Sequence, residues 1–356
     1  MLSVSCNAKP RRAQSQLLGF SLQCEYLTCE FLSCLFEACA LRTEIGVKTS
    51  QGRLLGRYEN LRNVWVEADR LGFHSGWLFD HLFELPLFGP SREPCLEAWT
   101  VLSALSRETK QLKLGVTCLC VTYRSPAMLA KMSSTLDVVS GGRFELGIGA
   151  GWAKIEHESY GIPFGKPRER VQRLEEAVTI VKKMWTEDSA SFQGKYYAVN
   201  GAVCEPKPVQ KPRPLIWIGG GGEKLTLKAV AKLADGCNFI ALSPDEYKHK
   251  IEILAKHCDS VGRKLSDVRK SWQGPVIIGR TSAEVKNKME LAVRSGDIRS
   301  EYVKDHTIVG TPEQCVQRIC EYVDLGVDRF MLSFPESATD LSGIRLVGEK
   351  VLPSFK

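Results

Sequence analysis

The sequence LIWIGGGGEK, residues 215–224, contains the most informative pattern in this chain. The apolar run Leu215–Ile218 predicts a buried strand, and the helical pattern Lys224–Ala234 follows it. Glycines between a strand and a helix let the backbone approach a ligand, and free N–H groups at a helix start bind anions. The pattern predicts a phosphate-binding loop, although a flexible turn would also explain it, and it lacks the layout of a Walker loop. The predicted phosphate contacts are Gly219, Gly220, Gly221 and Gly222.

The same order of an apolar run and an amphipathic helix recurs along the chain from residue 43 onward. Strictly alternating strands and helices imply a parallel sheet covered by helices. Eight strands in about 310 residues favour an α/β fold of the (β/α)₈ TIM-barrel type with insertions, in one domain over residues 43–356. The strands are predicted at Glu44–Thr49, Gly76–Phe79, Lys113–Val121, Arg143–Ile148, Leu215–Ile218, Gly236–Ile240, Val276–Gly279 and Arg329–Ser333.

Two insertions follow the fourth predicted strand, at residues 149–168 and 189–213, and the second contains a hairpin pattern at residues 192–197. In a barrel of this type the active site is built from the loops at the carboxyl ends of the strands. Functional side chains are therefore expected immediately after each strand.

Composition limits the partners of the protein. The chain has 356 residues, with 48 Lys and Arg against 41 Asp and Glu, and these charges form no basic block. A nucleic-acid partner is therefore not expected, whereas an acidic small ligand is favoured. No window of about 20 apolar residues predicts a membrane span. The 13 cysteines form no C-x-x-C pair, which favours reduced thiols and a cytoplasmic protein.

Residues 1–42 differ in character from the rest of the chain. Basic residues are followed by a stretch rich in Leu, Phe and Cys that ends in Ala38-Cys39-Ala40, as in a signal peptide. However, Glu25, Glu30 and Glu37 interrupt the apolar region. We expect a poorly ordered N-terminal extension that is foreign to the domain, with a targeting segment as the alternative.

Two further motifs follow predicted strands. Asp80 and His81 end the second strand, where a histidine is suited to acid–base chemistry, although a structural histidine would fit equally well. The sequence GIGAGW, residues 147–152, is a weak dinucleotide fingerprint because its spacing is wrong and no helix opens directly after it. It better fits a narrow strand end where Ala150 and Gly151 bring backbone close to a flat ring, or simply tight packing. No H-E-x-x-H zinc motif is present, and no metal site is predicted.

Taken in order, these motifs resemble the luciferase-like monooxygenase superfamily, and within it the branch of coenzyme F420-dependent oxidoreductases. The resemblance runs from about Thr43 to the C-terminus and implies a native start near Thr43. The motifs are Asp80–Leu82, Leu96–Trp99, Thr122–Pro126, Met132–Phe144, Leu146–Trp152, Glu156-His157, Tyr160-Gly161, Ile216–Lys224 and Ala234–Gly236.

The resemblance implies a flavin or deazaflavin bound at the barrel mouth. Asp80 would contact the cofactor, and His81 would stand over its ring as proton donor or acceptor. A bulge in the third strand, often with a non-prolyl cis peptide, would back the ring at Thr117 and Cys118. The residues 219–222 would hold the cofactor phosphate.

Two positions depart from the family pattern. Cys237 stands where close relatives often have Trp, which would change the wall of the substrate pocket. Trp152 stands where the sugar-phosphate dehydrogenases of the superfamily have a catalytic Glu, which argues against oxidation of a sugar phosphate.

The resemblance implies hydride transfer between F420 and an unidentified organic substrate, and a homodimer is common in the family. An FMN-dependent monooxygenase that uses O2 is the first alternative, and a non-catalytic flavin-binding protein is the second.

Overall fold

The computed structural model describes residues 43–52, 54, 56–85, 94–296 and 298–356. The predicted N-terminal extension, residues 1–42, lies outside the described residues. No described helix has the length and apolar character needed to cross a membrane.

Within the described residues, a parallel sheet curls into the predicted eight-stranded barrel. The strands are β1 (Glu44–Lys48), β2 (Ser75–Leu78), β3 (Lys113–Val116), β4 (Leu119–Cys120), β5 (Leu146–Gly149), β6 (Ala190–Gln193), β7 (Ala198–Ala202), β8 (Ile216–Gly219), β9 (Gly236–Ile240), β10 (Arg269–Ile278), β11 (Ile308–Gly310) and β12 (Arg329–Ser333). Their order in the barrel sheet is β3-β2-β1-β12-β10-β9-β8-β5-β4. The short strands β3 and β4 together occupy the third barrel position. The sheet closes where the Leu114 N–H donates to the Arg143 carbonyl and the Glu145 N–H donates to the Leu114 carbonyl, at 2.9 and 2.8 Å.

The helices begin and end at recognisable capping residues. Gly72 and Gly141 end two of them in the left-handed conformation, with φ of 80° and 69°. Ser243 begins another with a capping box that includes Glu246. The helices are α1 (Tyr58–Leu71), α2 (Ala98–Glu108), α3 (Pro126–Ser140), α4 (Lys154–Ser159), α5 (Pro167–Thr186), α6 (Thr226–Leu233), α7 (Pro244–Ser260), α8 (Ser282–Arg294), α9 (Pro312–Asp324) and α10 (Ser342–Leu346), which continues as π-helical and 3₁₀ turns to Phe355.

The predicted hairpin is confirmed by the antiparallel pair β6 and β7, but the predicted seventh strand is displaced. Its barrel portion is Arg269–Pro275, which pairs with β9 and β12. The predicted segment only begins at Val276, where the strand leaves the barrel to pair with β11. The barrel portion was missed because buried polar side chains, Ser271 and Gln273, interrupt the apolar pattern.

The amino-terminal end of the barrel interior is filled by a charged group between indole rings. The Arg329 side chain is fully buried and donates to both carboxylate oxygens of Glu145 and, at 2.7 Å, to Glu44. Its guanidinium carbon lies 4.6 Å from the ring centre of Trp217, whose Nε1–H donates to Glu145 at 2.7 Å. Burial raises the pKa of Glu145, but the charge of Arg329 outweighs burial and holds that pKa below its ordinary value. This network links β1, β8 and β12 to the residue that precedes β5.

Removing the cation should destabilise the barrel strongly. Arg329→Met leaves Glu145 as an uncompensated buried charge, so we expect the free energy of unfolding to fall by about 3–5 kcal/mol. The matched control is Arg345→Ala, since the Arg345 side chain is 55% exposed in its pair with Glu67 and its loss should cost less than about 1 kcal/mol. Urea denaturation of the two variants measures both values, and equal losses would contradict the role of Arg329.

Candidate functional site

A cavity of about 440 Å³ opens at the carboxyl ends of the barrel strands. This volume lies within the roughly 300–1,000 Å³ range of small-molecule and cofactor sites. Most of the site residues predicted from the sequence line it together: Asp80, His81, Thr117, Cys118, Ala150, Gly151, Trp152, Gly219 and Gly220.

The space at this end of the barrel depends on glycines. A Cβ atom on Gly219 would lie 2.0 Å from the Cys118 Sγ, and one on Gly151 would lie 2.6 Å from the Cys120 Sγ. Gly151 also has φ of +79°, a conformation that side chains other than glycine rarely adopt. Alanine at either position would therefore push a thiol into the cavity or displace the strand.

The bulge expected in the third barrel strand lies between β3 and β4. The Thr117–Cys118 peptide bond is cis, as the family resemblance implied. The Thr117 hydroxyl donates to Gln273 Oε1 on β10 at 2.5 Å, which ties the bulge to the opposite wall. Burial raises the pKa of the Cys118 thiol to about 12, so this side chain is a neutral part of the cavity surface.

Asp80 holds the loop that follows β4. Its carboxylate accepts two hydrogen bonds from Arg124, at 2.8 and 3.0 Å, and one from the Cys120 N–H at 2.8 Å. Burial raises the pKa of Asp80, while the positive charge of Arg124 opposes that shift. Arg124 also donates to Glu97 at 2.5 Å. The predicted contact of Asp80 with a ligand would therefore involve a carboxylate that already serves as a structural acceptor.

His81 is oriented by a buried carboxylate. The Nδ1 atom of His81 lies 2.9 Å from Glu156 Oε2, and Glu156 also accepts from the Leu82 N–H at 2.5 Å and the Tyr123 hydroxyl at 2.8 Å. Burial raises the pKa of Glu156, but these hydrogen bonds outweigh it and place that pKa below its ordinary value. Since an ionised carboxylate only accepts, His81 donates through Nδ1 and keeps Nε2 for a ligand.

The rings of Phe79 and Trp152 flank His81, with ring centres at 4.9 and 5.4 Å. Trp152 is 69% exposed and stands at the mouth, where the sequence predicted it. The imidazole is thus held by a carboxylate on one side and by ring edges on the others, which restricts its rotation.

Glu156, Tyr123 and Arg124 belong to motifs of the family resemblance, but the sequence assigned none of them a role in the site. Tyr123 and Arg124 lie in the segment that follows β4, and Glu156 lies on α4, which follows β5, so all three are in the region where functional residues of a barrel are expected. Glu156 is 75 residues from His81, and no local spacing could indicate that they meet. Only the folded structure shows that the Glu156 side chain is buried next to His81.

The glycine loop is only partly inside the cavity. Gly219 and Gly220 line it, whereas Gly221 and Gly222 are exposed just beyond. The helix starts at Thr226 rather than at Lys224, because a turn precedes it. The free amides nearest the cavity therefore belong to the loop itself and not to the first turn of the helix.

A cation stands beside this loop. The Lys250 ammonium donates to Glu223 at 2.6 Å, and the hydrogen bond from Lys250 lowers the pKa of Glu223. A Cβ on Gly221 would lie 3.6 Å from the Lys250 Cε, so the lysine stem runs alongside the exposed glycines.

Cys237 is not part of the cavity. It is fully buried in the main hydrophobic core, and burial raises the pKa of its thiol to about 12. Successive residues of a strand point to opposite faces, and it is the next residue, Asn238, that lines the cavity. The prediction that Cys237 shapes the substrate pocket placed the side chain on the wrong face of β9.

A comparison with known protein families identifies the family to which this barrel belongs. The model of the luciferase-like monooxygenase family matches residues 38–297. The chain belongs to this family.

Two relatives that are named for different cofactors match this chain over most of its length. The F420-dependent glucose-6-phosphate dehydrogenase of Microbacterium testaceum is 28% identical over 322 residues, which are 83% of this chain and 93% of that protein. The FMNH(2)-dependent dimethylsulfone monooxygenase of Pseudomonas putida is 26% identical over 287 residues, 72% of this chain and 78% of that protein.

The solved structure of an F420-dependent secondary alcohol dehydrogenase with an F420-acetone adduct superimposes with a TM-score of 0.76 at 20% identity. It covers 89% of this chain and 100% of the other. This similarity establishes the luciferase-like barrel fold.

The close approach of Gly219 and Cys118 predicts the effect of a single methyl group. Gly219→Ala should lower the free energy of unfolding by about 1–3 kcal/mol, because the added carbon overlaps the thiol. The double variant Gly219→Ala/Cys118→Ala should recover most of that loss, since the Cys118 Cβ would be 3.6 Å from the new methyl group.

Gly221→Ala is the matched control, because its added Cβ meets only the Lys250 stem at 3.6 Å. Thermal and urea unfolding of the four variants, with Cys118→Ala alone as reference, measures the coupling. If the losses of unfolding free energy in the two single variants simply added up in the double variant, the overlap between the new methyl group and the thiol would be contradicted.

Proposed function

We propose that the protein is an F420-dependent oxidoreductase that transfers a hydride between the deazaflavin and an organic substrate. The observation that carries this proposal is His81, held by buried Glu156 through Nδ1 with Nε2 left at the wall of the cavity. Relatives named as F420-dependent that match most of the chain support the choice of cofactor.

The described residues fit a planar ring with a phosphate-bearing side chain. The cavity offers about 440 Å³, and its floor would be closed by a Cβ on Gly219. The cis peptide at Thr117–Cys118 would lie behind the ring, and Asp80 would support it by fixing the Cys120 N–H.

The phosphate is proposed to lie on the glycine loop. Among the described residues, no hydrogen-bond acceptor faces the amides of Gly221 and Gly222. Lys250 supplies a positive charge next to them, in addition to the loop amides predicted from the sequence.

When bound, the cofactor supplies the hydride chemistry. The chain itself would hold the transferred proton at a defined atom. Nε2 of His81 would accept the proton of a substrate hydroxyl during oxidation and return it during reduction. Glu156 fixes the ring and stabilises the protonated form, and it does not need to touch the substrate.

The substrate would approach His81 from a second cavity of about 300 Å³ that shares His81, Phe79 and Trp152 with the first. Ser333 and Ser337 give this second cavity a partly polar wall. Trp152 at its rim is consistent with the expectation that a sugar phosphate is not the substrate.

An FMN-dependent monooxygenase is the second candidate, because the Pseudomonas putida relative matches over most of its length. The His81 and Glu156 pair serves both activities, so the cofactor must decide.

The location of the protein is proposed as cytoplasmic, and a homodimer is the assembly that the family resemblance suggests. All eight cysteines within the described residues are free, which supports a reducing compartment.

A cofactor titration tests the proposal directly. The purified protein is titrated with F420 and with FMN, while fluorescence quenching and the absorbance spectrum are followed, and turnover is assayed with a panel of alcohols and carbonyl compounds. We expect F420 to bind more tightly than FMN and to be reduced or oxidised. Tighter FMN binding with O2 consumption would establish the monooxygenase instead, and binding of F420 without any turnover would favour the non-catalytic alternative.

Replacement of His81 should distinguish an effect on the catalytic rate from an effect on cofactor binding. We expect His81→Ala and His81→Asn to lower kcat by about 10²–10⁴-fold, because neither side chain transfers a proton near neutral pH. Glu156→Gln should lower kcat by at least about tenfold through loss of the fixed tautomer, while the Tm and the Kd for F420 change little.

The matched control is His74→Asn, which removes the histidine at the opposite end of the same strand. Its kcat should stay near the wild-type value. If the His81 variants lost cofactor affinity but kept kcat within a few-fold, His81 would be a binding residue only.

A further inference from the structure

One buried polar atom in the cavity wall has no partner. The Oδ1 atom of Asn238 is shielded from solvent and accepts no hydrogen bond within the described part of the chain, although the residue lines the cavity. Asn238 as a whole is only 1% exposed. An unpaired buried acceptor costs about 1–3 kcal/mol, so its presence at a ligand cavity indicates that the ligand supplies the donor.

The orientation of this amide follows from its neighbours. The Ser271 hydroxyl donates to the Cys237 carbonyl at 3.0 Å, so the Ser271 oxygen is left to accept from Asn238 Nδ2 at 2.9 Å. If the Asn238 amide were rotated, its Oδ1 atom would face the Ser271 oxygen, so that two acceptors would meet. Its Nδ2 atom would then be a donor without an acceptor. The hydrogen-bond chain therefore directs Nδ2 toward Ser271 and leaves Oδ1 for the cavity.

A second carboxamide stands on the adjacent strand. Asn238 is paired with Ser271 between β9 and β10, and Gln273 is the next residue of β10 on the same face. Gln273 is buried, and its Oε1 accepts from the Thr117 hydroxyl. Among the described residues its Nε2 has no acceptor, so this wall presents an amide acceptor and an amide donor on neighbouring strands.

We propose that Asn238 and Gln273 recognise the imide edge of the cofactor ring. Asn238 Oδ1 accepts from the ring N–H, and Gln273 Nε2 donates to an adjacent ring carbonyl. This inference rests on the proposed function, since it requires a flavin or deazaflavin in the cavity. Both ring systems carry the same edge, a ring nitrogen bearing hydrogen between two carbonyl groups, so these residues orient the ring without selecting between F420 and FMN.

Recognition of the imide edge of the ring explains why polar residues interrupt the apolar pattern of β10. Ser271 and Gln273 replace apolar residues that a barrel strand would otherwise present inward, and each has a defined role. Ser271 sets the rotation of Asn238, and Gln273 is set by Thr117 of the bulge. The bulge, β9 and β10 thereby act together on one edge of the ring.

The test compares ring analogues with side-chain variants in the full-length protein. Kd values are measured by fluorescence titration for F420 and its N3-methyl derivative, with FMN and N3-methyl-FMN in parallel. Wild type should bind each N3-methyl derivative roughly 10- to 100-fold more weakly than the parent, because the methyl group removes the donor. Asn238→Leu should bind the parent more weakly by a similar factor and should no longer distinguish it from the methyl derivative.

Cys237→Ala is the matched control, since it alters the preceding residue of β9 on the opposite face. It should keep the wild-type preference for the unmethylated ring. Gln273→Glu, which lacks the amide donor, should weaken binding of both ring forms while keeping their ratio.

The outcomes separate the two proposals. If wild type binds neither F420 nor FMN, the proposed function fails and this inference fails with it. If wild type binds a cofactor but accepts its N3-methyl derivative equally well, the inference fails while the proposed function stands. Should Asn238→Leu not fold, the wild-type ratio alone decides.

Discussion

The interior of an eight-stranded barrel has room for side chains but not for a ligand as well, unless one end is left open. This chain meets that constraint asymmetrically. Arg329, Glu145 and the indole ring of Trp217 fill the amino-terminal end with a paired charge and aromatic surface. At the other end, glycines such as Gly149 and Gly219 keep the side-chain layer thin, and a cavity forms there. The position of the site follows from how the two ends are filled.

The chemistry of the site depends on carboxylates that serve different purposes. Asp80 is neutralised by Arg124 and fixes backbone, whereas Glu156 has no cationic side chain of Lys or Arg among its described partners. A buried carboxylate in that position gains stability from a protonated imidazole next to it. In the proposed function, this contrast gives Asp80 a structural role and leaves proton transfer to the pair of Glu156 and His81.

Periodicity made the barrel predictable, and side-chain direction limited how much of the site could be inferred. The alternating strands and helices, the hairpin and the bulge at Thr117–Cys118 were all accessible from pattern or family resemblance. Cys237 was misplaced because a one-residue error in a strand exchanges the core face for the cavity face. The roles of Asn238 and Glu156 could not be inferred from sequence, although Glu156 lies in a family motif. The role of Asn238 rests on a buried acceptor without a partner among the described residues, and that of Glu156 on a contact with a residue 75 positions away.

The two cavities share the residues at their boundary but differ in the rest of their walls, and this difference bears on how the proposed substrate site could vary. Lys48, Phe79, His81 and Trp152 line both cavities. The larger cavity adds the ends of β4, β5, β8 and β9 with Gln273 of β10, whereas the smaller one adds residues that follow β1 and β12 with Pro275 of β10. His81 belongs to both, so in the proposed function one imidazole would face the cofactor and the substrate. Substitutions around Ser333 and Ser337 would alter what reaches His81 without disturbing the glycines or the bulge. In the proposed function, a ring site whose walls are partly separate from those of the substrate cavity would account physically for family members that are named for unlike substrates.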